Sequence, residues 1–327
     1  MPSESTPSVL ILMATYQGER FMEEQLDSFG AQVHQAWELL IADDGSNDQT
    51  CTLIAKTMKK ASLCRYPWAL IDGPRKGAAA NFLYLLSQAH KRIADGRSMA
   101  SFIALADQDD VWLPSKLSAA LTALQAVPDG QAALWCSAVK YWGNNSRKQN
   151  NQRSLSPQRP LSFSNALVQN MVRGNTILLN RSALDVLVST ESELPVVMHD
   201  WWLYLLMSAC GARLLYCDEP TVLYRQHSSN AVGAAASWPD RIKRFRFMLQ
   251  GGFARWNRCH MTRLNRLARD HPSRLEPQAL EKIAQFDCMI HATNSLERLR
   301  LLQKGGFYRQ TAAENLSLRM ALALGRF

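Results

Sequence analysis

The sequence predicts an α/β protein with a doubly wound, mostly parallel sheet and a helical C-terminal extension. Four apolar runs of strand length each precede a stretch in which apolar residues recur with helical spacing. Acidic residues directly follow the second and the fourth run. Because β-α-β crossovers bring the carboxyl ends of parallel strands to one edge of the sheet, ligand-binding groups are expected to gather at that edge.

The four β-α repeats occupy the first 127 residues. The predicted strands are Val9–Thr15, Glu38–Asp43, Trp68–Asp72 and Ser101–Ala106. The helices that follow them are predicted at Glu19–Phe29, at Asp48–Lys60, from Asn81 onwards and at Pro114–Val127. A parallel sheet requires this alternation of strands and helices.

The later elements are less regular. A fifth strand is predicted at Ala132–Tyr141, a helix at Asn165–Asn170, a strand at Gly174–Leu179 and a helix at His199–Met207. The apolar runs Leu214–Tyr216 and Thr221–His227 are interpreted as a hairpin-like pair of strands.

Charge divides the 327 residues into two predicted domains. Residues 238–327 hold 17 of the 37 Lys and Arg but only 7 of the 28 Asp and Glu, so they carry the whole excess behind the net charge of +9. We therefore predict a catalytic domain at 1–237 and a basic helical extension at 238–327. The polar start predicts no secretory signal, and seven scattered cysteines without a Cys-x-x-Cys pair indicate reduced thiols of a cytoplasmic protein.

The acidic run Asp107-Gln108-Asp109-Asp110 is a candidate metal site. Carboxylate oxygens two residues apart suit Mg²⁺ or Mn²⁺, ions that commonly complete their shell with substrate phosphates. The alternative is a solvated acidic turn that caps the next helix. The turn after the first strand has one glycine, and the chain has no Gly-x-x-x-x-Gly-Lys-Ser/Thr, so neither a dinucleotide fingerprint nor a P-loop is expected.

Three further residues are candidates for chemistry. Asp200, at the mouth of an apolar helix, suits a general base, although a helix N-cap is the ordinary role of such a residue. Arg225 and His227 end the last predicted strand, where a cation and a metal ligand would meet a diphosphate and an ion. A surface histidine is the alternative for His227.

Taken in order, the motifs resemble the inverting family 2 glycosyltransferases, in particular the bacterial rhamnosyltransferase-like branch. The resemblance covers roughly residues 8–232. It rests on Ala14-Thr-Tyr-Gln-Gly-Glu19, Glu24-Gln-Leu-Asp-Ser28, Asp43-Asp-Gly-Ser46, Asn81-Phe82, Asp107-Gln-Asp-Asp-Val-Trp112, His199-Asp-Trp-Trp202 and Tyr224-Arg-Gln-His227. One departure is Arg75, which stands where the family would have Asn before the Lys-Gly pair.

This resemblance implies a GT-A fold, a nucleotide-sugar donor and Mn²⁺ or Mg²⁺ as cofactor. It implies Asp200 as the catalytic base and Asp109 as a metal ligand, with His227 as a further ligand. The implied substrate-binding residues are Thr15, Tyr16, Asp43, Asp44, Asn81, Asp107 and Arg225. The implied reaction transfers a sugar, foremost L-rhamnose from dTDP-L-rhamnose, to a saccharide hydroxyl in surface polysaccharide or lipopolysaccharide assembly, and a UDP-hexose donor is the alternative.

The basic extension suggests a location. Cations mix with Phe and Met in Arg241–Met248, as in a helix that lies on anionic lipid. Residues 238–260 are therefore predicted to contact the inner face of the cytoplasmic membrane, where a lipid-linked acceptor would be found. The alternative is a set of helices packed on the catalytic domain. No nucleic acid is expected as a partner, although a nucleotide-responsive nucleic-acid-binding module is kept as a remote alternative because the tail is basic.

Overall fold

The computed structural model of the chain describes residues 6–143, 152–226 and 250–327. Within these residues eight strands form one sheet in the order β3-β2-β1-β4-β7-β6-β8-β5. The strands are β1 Val9–Thr15, β2 Trp37–Asp43, β3 Trp68–Asp72, β4 Phe102–Ala106, β5 Val111–Trp112, β6 Ala133–Trp142, β7 Leu178–Asn180 and β8 Arg213–Arg225.

Strands β1 to β4 confirm the four predicted β-α repeats. β1 pairs in parallel with both β2 and β4, and β2 pairs in parallel with β3. Every residue of β1 and β4 is buried, as expected for central strands that are covered on both faces. The register places Thr15 opposite Asp43, so the strands that carry the predicted motifs end side by side.

Helices cover both faces of this half of the sheet. They are α1 Met22–Gly30, α2 Thr50–Thr57, α3 Ala78–Ala94, α4 Lys116–Gln125 and, later in the chain, α6 Arg181–Ser189. Leu26, Ile54 and Leu121 belong to the core cluster formed with alternate residues of β1 and β2, while α3 packs on β1 and β2 and against α6. The sheet is therefore doubly wound, as predicted.

The last strand corrects the predicted hairpin. β8 is one continuous strand that runs parallel to β6, with Arg213–Cys217 opposite Ala133–Ser137 and Val222–Arg225 opposite Val139–Trp142. The sequence between these two halves contains Pro220, a residue typical of a turn. Here it lies where the pairing register shifts, so no ladder hydrogen bond is lost to its missing N–H.

The chain divides into two compact units. The first comprises Met1–Leu155, Val172–Ser189 and Ala212–His227 and contains the whole sheet; the second comprises Ser156–Met171, Thr190–Gly211 and Ser228–Phe327. The second unit therefore includes two segments that precede the sequence-predicted boundary. That boundary, at residue 237, lies outside the described residues and stays a prediction.

The described part of the second unit is helical. Its helices are α5 Phe163–Ala166, α7 His199–Ala209, α8 Gly252–Asp270, α9 Pro277–His291, α10 Ser295–Lys304 and α11 Ala312–Ala323. Apolar residues recur with helical spacing from Ala279 to Leu302 and predict one helix. That prediction is wrong, because the helix ends at His291 and Asn294 caps a new helix by accepting from Leu296 N. In the parts of the chain that are described, no helix is long and apolar enough to cross a bilayer.

Candidate active site

Three carboxylates meet at the carboxyl end of β4. One carboxylate oxygen from each of Asp107, Asp109 and Asp110 lies within 4.8 Å of the other two. Asp107 and Asp109 are half-buried, whereas Asp110 is fully buried. The acidic group does not cap the helix that follows it, because α4 begins at Lys116 and its N-cap is Ser115. The helix-cap alternative therefore does not describe this turn.

Asp110 is held by donors from two distant segments. Its Oδ2 accepts from Asn175 Nδ2 at 2.5 Å, and its Oδ1 accepts from the backbone N of Arg225 at 3.0 Å. Burial raises the pKa of the Asp110 carboxyl to about 7, and the charge of Asp109 adds to the rise. Crowded carboxylates of this kind fit a divalent cation, which would relieve their repulsion, and hard oxygen donors are what Mn²⁺ and Mg²⁺ prefer.

A lysine lies behind the acidic group. The Lys116 side chain is fully buried, its Nζ donates to the carbonyl O of Asn175 at 2.6 Å, and the same Nζ lies 3.4 Å from the centroid of the Trp112 ring. Burial lowers its pKa well below the usual range, while Asp110 and Asp107 oppose that shift. The sequence signal for this role is weak, because Lys116 is the first residue of α4, where an exposed lysine is common.

We expect Asp110 to matter for folding more than Asp109 does. Asp110→Ala leaves Asn175 Nδ2 and Arg225 N without their acceptor in a buried site, at about 1–3 kcal/mol for each group. The free energy of unfolding, measured by urea denaturation, should therefore fall by about 2–4 kcal/mol. The matched control is Asp109→Ala, expected to change it by less than about 1 kcal/mol; equal losses in the two variants would contradict the anchoring role of Asp110.

Gln108 connects the acidic turn to the end of β1. Its Oε1 accepts from Thr15 Oγ1 at 2.6 Å and from Tyr16 N at 2.9 Å, and its Nε2 donates to Tyr16 O at 2.9 Å. A Cβ on Gly18 would lie 2.3 Å from Gln108 Oε1, so only glycine leaves room for this contact. Sequence reasoning missed Gln108, because the two residues that it contacts, Thr15 and Tyr16, lie more than ninety residues away in the chain.

The residues at the end of β2 hold turns. Asp43 accepts from Ser46 N and Ser46 Oγ at 2.8 and 2.6 Å, and Asp44 accepts from Arg75 N and Gly77 N at 2.6 and 2.7 Å. Arg75 has a φ of 57°, a left-handed conformation that Asn adopts more readily, which gives a physical reason for the Asn expected there.

The other predicted substrate residues differ in exposure. Asn81 is 1% exposed and its Nδ2 donates to Ala42 O at 2.8 Å, which ties α3 to the end of β2. Thr15 is also buried, whereas the Tyr16 side chain is 56% exposed. The structure thus brings Thr15, Tyr16, Asp44 and the acidic turn together, since Asp44 N also donates to Thr15 O at 2.8 Å.

Arg225 is fixed at the end of β8. Its guanidinium lies between the rings of Phe21 and Trp142, with Cζ 4.3 and 4.1 Å from their centroids. Its Nε donates to Asp109 O at 2.8 Å, and Nη2 forms an ion pair with Glu24. Arg225 therefore contacts the acidic turn directly. A contact with a diphosphate stays a prediction, and His227 lies outside the described residues.

Asp200 belongs to the second unit. It is half-buried in the first turn of α7, and its Oδ1 accepts from Trp201 N at 2.7 Å. The N-cap of α7 is Met198, so Asp200 does not have the capping role that was the alternative to a base. Burial lowers the pKa of the neighbouring His199.

Known proteins resemble this chain over most of its length. The dTDP-rhamnosyl transferase RfbG of Shigella flexneri is 27% identical over 268 residues, 79% of this chain and 85% of RfbG. Residues 1–349 of Staphylococcus aureus TarS, solved with UDP-GlcNAc, match with a TM-score of 0.57 at 17% identity, over 98% of this chain and 87% of that one. The mannosyltransferase PcManGT of Pyrobaculum calidifontis, solved with GDP-Man and Mn²⁺, matches with a TM-score of 0.52 at 18% identity, over 98% and 81%.

The two structural matches confirm the predicted GT-A fold. The sequence itself decides the family, because the family model described as "Glycosyl transferase family 2" matches residues 10–187. These residues are more than half of the chain and span β1 to α6, including the DXD-like acidic group at the end of β4. This chain therefore belongs to glycosyl transferase family 2.

Proposed function

We propose that the chain is an inverting glycosyltransferase that moves L-rhamnose from dTDP-L-rhamnose to a saccharide hydroxyl in bacterial surface polysaccharide or lipopolysaccharide assembly. The observation that carries this proposal is the group of three carboxylates at the end of β4 in a chain of this family. The choice of rhamnose is supported by the likeness to RfbG, which covers 79% of this chain.

The acidic group would hold the donor through a divalent cation. Asp109, helped by Asp107 and with Asp110 close by, would bind Mn²⁺ or Mg²⁺, and PcManGT, a protein of the same fold, was solved with Mn²⁺. A cation bound there offsets the negative charge that develops on the departing diphosphate. His227 is proposed as a further ligand, and Arg225 as the cation that steadies both the acidic turn and the leaving group.

Asp200 is proposed to be the general base. It takes the proton from the acceptor hydroxyl as that oxygen attacks the anomeric carbon from the face opposite the diphosphate. The bond between the sugar and the diphosphate breaks in the same displacement, so the anomeric configuration is inverted. No covalent sugar-enzyme intermediate is needed, and therefore no nucleophilic carboxylate.

The loops around β1 and β2 would bind the nucleoside. Tyr16 is the exposed side chain among the predicted contacts, and its ring is available to a nucleobase. Thr15, Asp43, Asp44 and Asn81 would act mainly by holding the turns whose backbone lines the site.

A lipid-linked acceptor would bring the enzyme to the inner face of the cytoplasmic membrane. Residues 238–260 are the segment that the sequence predicts for this contact. Most of the segment lies outside the described residues, but its end includes the first turns of α8, where Arg255 and Arg258 are exposed. Exposed arginines of this kind are attracted to anionic lipid.

A donor panel tests the proposal. The purified protein is incubated with dTDP-rhamnose, UDP-glucose, UDP-GlcNAc and GDP-mannose, each with Mn²⁺, Mg²⁺ or EDTA, and nucleoside diphosphate release and thermal stabilisation are measured. We expect both signals with dTDP-rhamnose and a divalent cation. A response confined to a UDP-sugar would remove the rhamnosyl assignment and leave a glycosyltransferase of different donor, whereas no response to any donor would contradict the proposed activity.

A further inference from the structure

The C-terminal helix α11 presents an apolar face to solvent. Six apolar residues of this outer face are exposed, and the exposed polar residues Ser317 and Arg319 lie at its two edges; the six are Ala312, Ala313, Leu316, Met320, Ala323 and Leu324. The side chains of Leu316, Met320 and Leu324 are 61, 49 and 56% exposed. Their spacing of four residues places them in one row over two turns of the helix.

The opposite face of α11 is firmly packed in the second unit. Leu318, Ala321 and Leu322 are at most 2% exposed, and the ring of Phe327 lies 6.2 Å from that of Phe286 in α9. Thr311 and Glu314 form a capping box at the first turn, and Arg298 Nη1 donates to Leu322 O at 3.1 Å near the last turn. The outer face is therefore presented by an anchored helix.

Another helix of the same unit, α8, differs from α11 in that its exposed residues are polar or charged. The exposed residues along α8 are Arg255, Arg258, Thr262, Arg266, Arg269 and Asp270. A helix that is apolar on both sides is normally buried on both sides, and an exposed apolar patch commonly marks a surface for association. We therefore expect the outer face of α11 to bind a partner or a surface.

The surrounding charge identifies the chemistry of that occupant. Arg319 and Arg326 are exposed beside and just beyond the outer face. The acidic residue of α11, Glu314, is engaged with Thr311 in the capping box. Residues 295–327 contain six Lys and Arg against two Asp and Glu. An apolar row with cationic flanks complements an anionic lipid surface, where acyl chains meet negatively charged headgroups.

A second copy of the chain fits this face less well. A symmetric contact centred on Met320 would bring Arg319 of one copy towards Arg319 of the other. Three partly exposed side chains also fall far short of the about 800 Å² per partner that a stable interface buries. The charge and the size of the face both favour a lipid surface.

We propose that α11 lays its outer face in the interface of an anionic membrane, with Leu316, Met320 and Leu324 among the acyl chains and Arg319 and Arg326 at the headgroups. The physiological purpose, bringing the enzyme to a lipid-linked acceptor, rests on the proposed function. The binding itself does not, because it is carried by residues of the second unit that take no part in the proposed donor site.

Vesicle flotation tests the proposal with the full-length protein. The vesicles are phosphatidylcholine alone, or phosphatidylcholine with 30 mol% phosphatidylglycerol as the anionic lipid. The wild type should float with the anionic vesicles and remain behind with neutral ones, and 0.5 M NaCl should weaken the binding. The variant L316S/M320S/L324S should lose about tenfold or more in vesicle affinity, because it no longer buries apolar area. The charge variant R319E/R326E should lose the preference for anionic vesicles.

Matched controls separate docking from general hydrophobicity and from catalysis. Met99 and Leu155 of the first unit are 82 and 78% exposed, and M99S/L155S should float as the wild type does. Donor turnover without vesicles should be unchanged in all three variants, so a failed donor panel and a failed flotation are distinguishable. Wild type that ignores anionic vesicles, or a serine variant that floats equally well, would overturn the proposal. So would a wild-type dimer in sedimentation that L316S/M320S/L324S dissociates, since the occupant would then be a second copy.

Discussion

Replacing Asp109 with alanine is expected to reduce donor turnover by about 10³-fold or more, with the fold intact. Asp109 is half-buried and has a carboxylate oxygen within 4.8 Å of those of two other carboxylates, so its loss would remove a proposed ligand of the cation and part of the attraction that would hold it. The measurement is release of nucleoside diphosphate from the donor that responds in the panel, at saturating Mn²⁺ and with EDTA. Thermal stabilisation by donor plus Mn²⁺ should disappear in the same variant.

The control for this variant is Asp129→Ala. Asp129 is an exposed aspartate remote in sequence from the acidic turn, and its substitution should leave both turnover and Mn²⁺-dependent stabilisation unchanged. If Asp109→Ala kept wild-type turnover, or if EDTA left the wild type fully active, the metal assignment of the acidic group would be wrong.

Replacing Asp200 with asparagine is expected to lower kcat by about 10²–10⁴-fold while donor binding persists. The amide cannot accept the proton that the attacking hydroxyl must lose. It can still accept a hydrogen bond from Trp201 N, as the carboxylate does at 2.7 Å, so the first turn of α7 should be retained. Steady-state kinetics should show the loss in kcat with little change in the KM for the donor, in contrast to Asp109→Ala.

Donor-binding measurements make this prediction decisive. Thermal stabilisation of the Asp200→Asn variant by donor and Mn²⁺ should match that of the wild type. A variant that turns over donor normally would show that the base lies elsewhere, and one that no longer binds donor would assign Asp200 to binding.

The strands that could be predicted are those whose hydrophobic pattern is continuous along the chain. β1 to β4 are continuous apolar runs that end in polar residues, and such runs identify buried parallel strands without knowledge of their neighbours. β8 was misread because Pro220 interrupts its apolar pattern, and only its pairing with β6, some eighty residues earlier, shows that the strand continues. The break between α9 and α10 is similar, since apolar residues recur on both sides of Asn294.

The acidic residues of the candidate site could be predicted from the sequence, but the residues that hold them in place could not. Consecutive carboxylates at a strand end are visible in the sequence, whereas the contacts of Gln108 with Tyr16 and of Lys116 with Asn175 join residues 92 and 59 positions apart. The outer face of α11 was unpredictable for another reason. Apolar residues occur on both sides of that helix, so the sequence does not tell which side is packed and which is exposed.

The amide of Gln108 has a consequence for attempts to change the donor. Because the Gln108 side chain, in the acidic turn after β4, hydrogen-bonds the turn after β1, a shift of one turn is expected to move the other. We therefore expect substitutions at 15–18 that are meant to accommodate another nucleobase also to shift the carboxylates, and to weaken the proposed binding of a metal there. The turn at 73–77 is held instead by Asp44, which accepts from Arg75 N and Gly77 N, so we expect substitutions there to disturb the proposed metal site less.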